Sequence, residues 1–271
     1  MITARCTGGI GNRLFQMSAA INYADKLQRE PVLFLPTLVR TEHKSFTLLF
    51  DFFPNLKTIE TESSITIQEE NLQVQQTDSK ILVLKGYFQD MRFFPSLSSP
   101  LLPTLPLPEN FSTKASVAIH FRFGDYMDLK HHQVNLSSYY MNAINKFPKE
   151  THFTLFSDSP EKLEGISREL LTKGYTNTID KSKTVLETFQ EIAKCAKGFI
   201  GSNSTFAWWG AFFAYRSHNS PETYIAYFPD TWMANGHKPN LFTLPYTIVL
   251  PLTNASDKLN SFSYIKTGLN H

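Results

Sequence analysis

Apolar residues recur along this chain in two rhythms, short continuous runs and longer stretches at helical spacing. The first run, MITARCT, is followed by GGIGN. Beyond it Leu14, Met17, Ile21, Ala24 and Leu27 fall on one helical face. PVLFLP, from Pro31 to Pro36, reads as a buried strand, so the chain is predicted to open with a β-loop-α-β unit. Patterning is weak from Thr41 to Lys80, with polar loops predicted around ETESSITIQEENLQ, and ILVLKGYF then restores a buried strand.

Pro95, Pro100, Pro103, Pro106 and Pro108 follow in close succession. Each proline lacks a backbone N–H and fixes its own φ, so neither helix nor central strand tolerates such spacing. An extended linker is predicted, with an N-terminal α/β domain over 1–108 and a C-terminal domain over 109–271.

In the second part the strands VAIHF, HFTLFS, GFIGS and TYIAYF alternate with helical segments around 139–147, 160–173, 185–197 and 206–215. Ser159 before Pro160 reads as a helix N-cap with proline at the first helical position. Alternation of this kind predicts an α/β fold with a parallel sheet covered on both faces. Such sheets bind ligands beyond the carboxyl ends of their strands. His120 and Arg122 stand at the end of one strand, two residues apart and therefore on one face.

Composition narrows the picture. Net charge is +2 over 271 residues and no basic run is interleaved with aromatics, so a nucleic-acid partner is not expected. No apolar stretch is long enough to span a bilayer and no signal peptide is evident, so a cytoplasmic location without a membrane segment is expected. Cys6 and Cys195 lie far apart and read as two small buried hydrophobes.

Three loops carry candidate chemistry. Gly8–Asn12 could bring backbone close to an anion at a helix N-terminus, or be an ordinary tight turn. In HFRFGD, Arg122 offers a planar fork suited to a diphosphate, and His120 could contact a base or phosphate. The plainer reading there is a local Arg122–Asp125 salt bridge. In GFIGSNSTFAWWGAFF, Asn203, Ser204 and Thr205 precede an apolar helix, as a phosphate site or as plain capping, with Trp208 and Trp209 read as core. Asp158 ends a strand, where it could meet a ribose or hold a loop. Glu187 starts a helix, where it could read guanine or simply complement the helix dipole.

The pieces GGIGNRLFQMSAA, LKGYFQD, IHFRFGDY, LSSYYMNAI, LFSDSPE, GSNSTFAWWGAFFA and YFPDTWM occur in the order found in the α-1,2-fucosyltransferase family, which the chain resembles from about Thr7 to Trp232. The resemblance implies two Rossmann-like domains facing across a cleft (GT-B), with 1–108 as the acceptor side and 109–271 as the GDP-fucose-binding domain, its last residues expected to pack back on the first. It implies an inverting transferase moving L-fucose from GDP-β-L-fucose to a galactose-terminated glycan at the 2-hydroxyl. No metal or other cofactor is implied, GDP-fucose being the donor substrate. Carried over, Arg122 would bind the β-phosphate, His120 the nucleotide, and Ser204 and Thr205 the rest of the diphosphate. Gly9, Gly11 and Asn12 would line the fucose side. Asp158, Glu187 and Asn203 complete the expected nucleotide-sugar set.

Two departures from the family pattern stand out. Phe123 occupies the place of a second arginine, whose charge Arg13 or Lys194 would have to supply, and Arg13 replaces a glutamine at the mouth of the acceptor cleft. Arg122 is expected to stabilise charge on departing GDP. Asp125, then Asp90, are the candidates for a base. The competing functions are a catalytically silent GDP-sugar or glycan-binding module and a transferase using another GDP-sugar.

Overall fold

The computed structural model describes residues 1–38, 47–60, 62–72, 80–124, 129–218, 221–252 and Phe262. The chain divides into two compact α/β units, Met1–Pro106 and Leu107–His271.

In the first unit β1 (Ile2–Ala4) leads through Gly8, whose φ is +76°, into α1 (Ile10–Lys26). Both faces of α1 are buried, not only the predicted Leu14–Met17–Ile21–Ala24 stripe, and Leu27 lies just past its end. β2 (Val32–Phe34) is shorter than the Pro31–Pro36 run, because the chain turns at Leu35 into the one-turn α2 (Leu35–Leu38). Pro36 could not donate to a ladder in any case. α3 (Leu48–Phe52), β3 (Lys57–Ile59), β4 (Ser64–Gln68) and β5 (Ile81–Lys85) follow. β1, β5 and β4 form a parallel sheet in that order; β2 pairs in parallel with β3 and is joined to β1 by an Ile2–Pro31 bridge.

The second unit holds β6 (Ser116–Phe121), α4 (Ser137–Ile144), β7 (His152–Ser157), α5 (Leu163–Thr172), β8 (Thr176–Ile179), α6 (Val185–Lys194), β9 (Gly198–Ile200), α7 (Thr205–Ser217), β10 (Ala226–Pro229) and β11 (Thr247–Leu250). Its six described strands are parallel and ordered β8-β7-β6-β9-β10-β11. Counted within the unit this is 3-2-1-4-5-6, the doubly wound Rossmann order, which reverses direction between β6 and β9. Both units are thus α/β with parallel strands, the second in Rossmann order.

Side chains of β6 and β7 alternate between two cores. Val117, Ile119, Phe121, Phe153 and Leu155 pack with Tyr139, Ile144 and Leu170 on one face. Ala118, His120, Thr154 and Phe156 face the other way by the same alternation. Phe262, described alone beyond Leu252, packs edge-on to Phe121 in the first of these cores. Trp208 and Trp209 are buried, as predicted, and the Trp208 Nε1–H donates to the Leu241 carbonyl at 2.8 Å. Ser159 does precede a helical turn with Pro160 at its start, but its hydroxyl makes no capping hydrogen bond. Both cysteines are free and buried, in line with their reading as small hydrophobes. Among the described residues no helix is long and apolar enough to cross a membrane.

Candidate active site

The switch point between β6 and β9 is where a Rossmann sheet opens a crevice at its carboxyl edge, and His120, Arg122 and the start of α7 lie there. His120, 3% exposed, shares a hydrogen bond with the Ser202 hydroxyl through Nδ1 at 2.9 Å, joining the end of β6 to the loop after β9. Phe206, in the first turn of α7, lies against the imidazole with ring centroids 5.2 Å apart. Burial, assisted by the neighbouring Arg122 cation, pushes the His120 pKa down to about 3. The ring is therefore neutral at physiological pH, able to donate from one nitrogen and accept at the other.

Two tyrosines of α4 secure the strand ends. The Tyr140 hydroxyl donates to the His120 carbonyl at 2.9 Å, and the Tyr139 hydroxyl lies 2.8 Å from the carbonyls of both Gly201 and Tyr227. Carbonyls at the edge of a buried sheet would otherwise lack donors, so these hydroxyls fix β6, β9 and β10 where the crevice begins. Ser202 was legible only as part of the polar run Ser202–Thr205 that was read as a phosphate site, not as the partner of His120. Tyr140 and Phe206 were not singled out, and the tyrosines gave no signal beyond their place on an amphipathic helix.

Arg122 continues the His120 face past the end of β6. Its Nη1 is 2.9 Å from Asp158 Oδ2, while Asp158 Oδ1 accepts from the Phe123 N–H at 3.0 Å. The register of β6 on β7, which pairs Phe121 with Ser157, sets Arg122 beside Asp158. The acid predicted to pair locally with Arg122, Asp125, lies outside the described residues, so its role as a base is untouched by this geometry. Gly124 packs directly on Asp158, and a Cβ there would overlap Oδ2. Phe123, where the family pattern carries a second arginine, stacks toward Phe121, and the Lys162 ammonium lies 5.5 Å from its ring centroid.

Ser204 is the N-cap of α7 and leaves its hydroxyl out of any capping hydrogen bond, while its N–H donates to the Ser202 carbonyl at 2.9 Å. Thr205 opens the helix. This N-terminus, beside His120, presents the donor set that an anion needs. Asn203 is used structurally: its Nδ2 donates to the carbonyls of Trp232 at 2.8 Å and His132 at 3.3 Å, tying three loops together. Glu187 completes a capping box on α6, its Oε2 accepting from the N–H groups of Lys183 and Thr184, while Thr184 Oγ1 accepts from the Glu187 N–H. Those hydrogen bonds hold its pKa low. The motif Thr-x-x-Glu was legible, but the box was not anticipated.

In the first unit Gly9 is the N-cap of α1 and its carbonyl accepts from the N–H groups of Asn12 and Arg13. Gly11 is buried in the first turn, and Asn12 Oδ1 accepts from Gln89 Nε2 at 3.1 Å. Arg13, expected at the mouth of the acceptor cleft, lies inside the first unit. It is fully buried, its Nε donates to the Gly8 carbonyl at 2.9 Å, and desolvation lowers its pKa. Lys194 and Lys114 share the single carboxylate of Glu191. Asp90 caps a short 3₁₀ turn and binds Arg92 through both carboxylate oxygens.

A doubly wound sheet with a histidine, an arginine and a helix N-terminus at its switch point has the donors that an anionic ligand would need. Comparison makes this specific. Residues 107–234 match the model of glycosyl transferase family 11. Two relatives from Escherichia coli are each 25% identical to this chain. Alpha-1,2-colitosyltransferase aligns over 78% of this chain and 87% of its own length, and O-antigen biosynthesis glycosyltransferase WbnK over 87% and 96%. A crystal structure of POFUT1 in complex with GDP is similar at a TM-score of 0.45 and 12% identity, covering 84% of this chain and 97% of that one.

Proposed function

We propose that the protein transfers L-fucose from GDP-β-L-fucose to the 2-hydroxyl of a galactose-terminated glycan, with inversion to an α-1,2-fucoside. The observation that carries the reading is the convergence of His120, Arg122 and the α7 N-terminus at the switch point between β6 and β9. A nucleoside diphosphate presents two anionic groups to such a site. Arg122 is preorganised by Asp158, and Ser204 and Thr205 add hydroxyls and backbone N–H groups. Charge that develops on departing GDP is then met by donors already in position, the most effective form of electrostatic catalysis. Neutral His120 orients the nucleotide through a hydrogen bond rather than through charge. Gly9, Gly11 and Asn12 serve the sugar side in this reading, and Asp125 is assigned the acceptor proton.

The colitosyltransferase relative favours a second reading, in which the donor is a GDP-linked sugar other than fucose. One experiment addresses both. GDP release is followed with GDP-fucose, GDP-colitose and GDP-mannose, each with galactose-terminated acceptors, in wild type and Arg122→Ala. The proposal expects acceptor-stimulated release from GDP-fucose, reduced at least about a hundredfold in the variant. Release from GDP-colitose alone selects the second reading. Tight GDP binding without release from any donor makes the protein a binding module.

A further inference from the structure

His120, Ser202 and Tyr140 are hydrogen-bonded to one another beneath the switch point, drawn from β6, the loop after β9 and α4. All three are buried, at 3%, 0% and 2% exposure. In so dry a place each hydroxyl proton has one destination, and the direction of every bond follows from the one before it.

The Tyr140 hydroxyl donates to the His120 carbonyl at 2.9 Å. Burial pushes this phenol far above its ordinary pKa, against the opposing hydrogen bond from Ser202, so it keeps its proton. That proton being committed to the carbonyl, the Tyr140 oxygen can meet the Ser202 hydroxyl only as an acceptor. The Ser202 proton is thereby committed as well. Ser202 Oγ, 2.9 Å from His120 Nδ1, can then only accept, so Nδ1 carries the ring hydrogen. The reverse arrangement would leave the Tyr140 and Ser202 oxygens facing each other with no proton between them, which a buried site does not tolerate. The other ring nitrogen, Nε2, is left with its lone pair and makes no hydrogen bond to a described residue.

A lone pair repels a phosphate oxygen and accepts from O–H or N–H. A nucleoside carries both kinds of donor, on its ribose and on its base edge. We infer that Tyr140 and Ser202 are positioning residues that lock His120 as the Nδ1–H tautomer, so that Nε2 accepts from a donor of the nucleoside while the diphosphate is left to Arg122 and the α7 N-terminus. The ligand in this inference rests on the nucleotide-sugar reading above, whereas the lock stands on the protein's own hydrogen bonds. Tyr140 bonds the backbone of His120 and not its ring, yet it decides the ring's tautomer. Without the phenol oxygen the Ser202 hydroxyl is released to donate to Nδ1, and the hydrogen moves to Nε2.

The test uses the full chain with isotope-labelled histidine and reads the ring nitrogens by long-range proton–nitrogen NMR correlation near neutral pH. His120 is assigned as the signal that His120→Gln lacks. Wild type is expected to show a protonated Nδ1 and a bare Nε2, and Tyr140→Phe the reverse. Phenylalanine keeps the ring's packing against Phe121 and Tyr139, so this variant should fold. Ser202→Ala, which removes the acceptor, is expected to lose the preference for Nδ1–H. Affinities for GDP, 2′,3′-dideoxy-GDP and inorganic diphosphate are measured alongside by isothermal titration. GDP is expected to weaken at least about tenfold in Tyr140→Phe, as for one lost hydrogen bond, with diphosphate unchanged. A gap between GDP and its dideoxy analogue that closes in Tyr140→Phe places the donor on the ribose; equal weakening of both places it on the base. An Nε2–H tautomer in wild type, a tautomer unmoved by Tyr140→Phe, GDP affinity unchanged in that variant, or diphosphate weakened as much as GDP overturns the inference. No binding of either guanine nucleotide, with the tautomers as expected, would remove the nucleotide reading and leave the lock standing.

Discussion

Asp158 holds Arg122 with one carboxylate oxygen and the backbone N–H of the next residue, Phe123, with the other. One acid thus sets both the direction of the guanidinium and the path of the chain that leaves β6. Asp158→Asn keeps an acceptor for the Phe123 N–H but discards the ion pair. It is expected to lower kcat about tenfold with a smaller change in donor KM, since the arginine loses its set position while its charge remains. Steady-state kinetics with the preferred donor measure this, and an unchanged kcat would detach Asp158 from the reaction.

Gly124→Ala attacks the same arrangement from the other side. The added methyl overlaps Asp158 Oδ2, so the carboxylate must swing away from Arg122. Activity should fall to about the level of Asp158→Asn. The double variant should be little worse than either, because residues acting as one unit are non-additive. A double variant showing the product of the two single effects would mean that they act independently.

Acid should weaken this fold through His120. Its pKa is lowered from 6.5 to about 3, so between those values the unfolded chain binds a proton that the native chain refuses. Stability therefore falls as pH drops through that window, by up to about 1.4 kcal/mol per pH unit for this one group. Urea midpoints at pH 7.5 and 5.0 in wild type and His120→Gln provide the test. The variant is expected to lose less on acidification, and equal losses would assign the acid sensitivity to other groups.

The capping box at Thr184 and Glu187 separates two meanings of one acid. Thr184→Ala should cost about 1 kcal/mol of stability. Glu187→Gln preserves the box, because an amide oxygen accepts the same N–H groups, and should leave stability and GDP affinity within about twofold. A selective loss of GDP over ADP in isothermal titration would return Glu187 to the nucleotide.

Lys162 brings an ammonium to the ring of Phe123, the residue that stands where the family pattern has a second arginine. Lys162→Met is expected to raise donor KM about threefold at low ionic strength and to have less effect in high salt, as befits an exposed charge. A salt-independent effect would point to packing on Phe123 instead.

The parts of the fold that sequence revealed are those buried on both faces. VAIHF, HFTLFS, GFIGS and TYIAYF announce β6, β7, β9 and β10 because central parallel strands carry no polar face. β4, β8 and β11 passed unnoticed for the complementary reason: each lies at a sheet edge and keeps exposed positions among its residues. β3, with two exposed residues of three, was hidden likewise. Sequence found His120 and Arg122 through strand alternation, which is local. Their partners Ser202 and Asp158 come from other strands, and only the register of β6 on its neighbours brings them near.

All described pairings in the second unit are parallel, so no strand can form a hairpin with the next one in the chain. β6 must wait for β9, synthesised after two intervening strands and several helices, before His120 meets Ser202. Long loop closures of this kind slow folding and leave partly folded chains without a finished crevice. Nucleotide should consequently bind only the completed unit and draw the folding equilibrium toward it. GDP would thus act as a folding ligand as well as a leaving group, rescuing variants whose sheets are marginal.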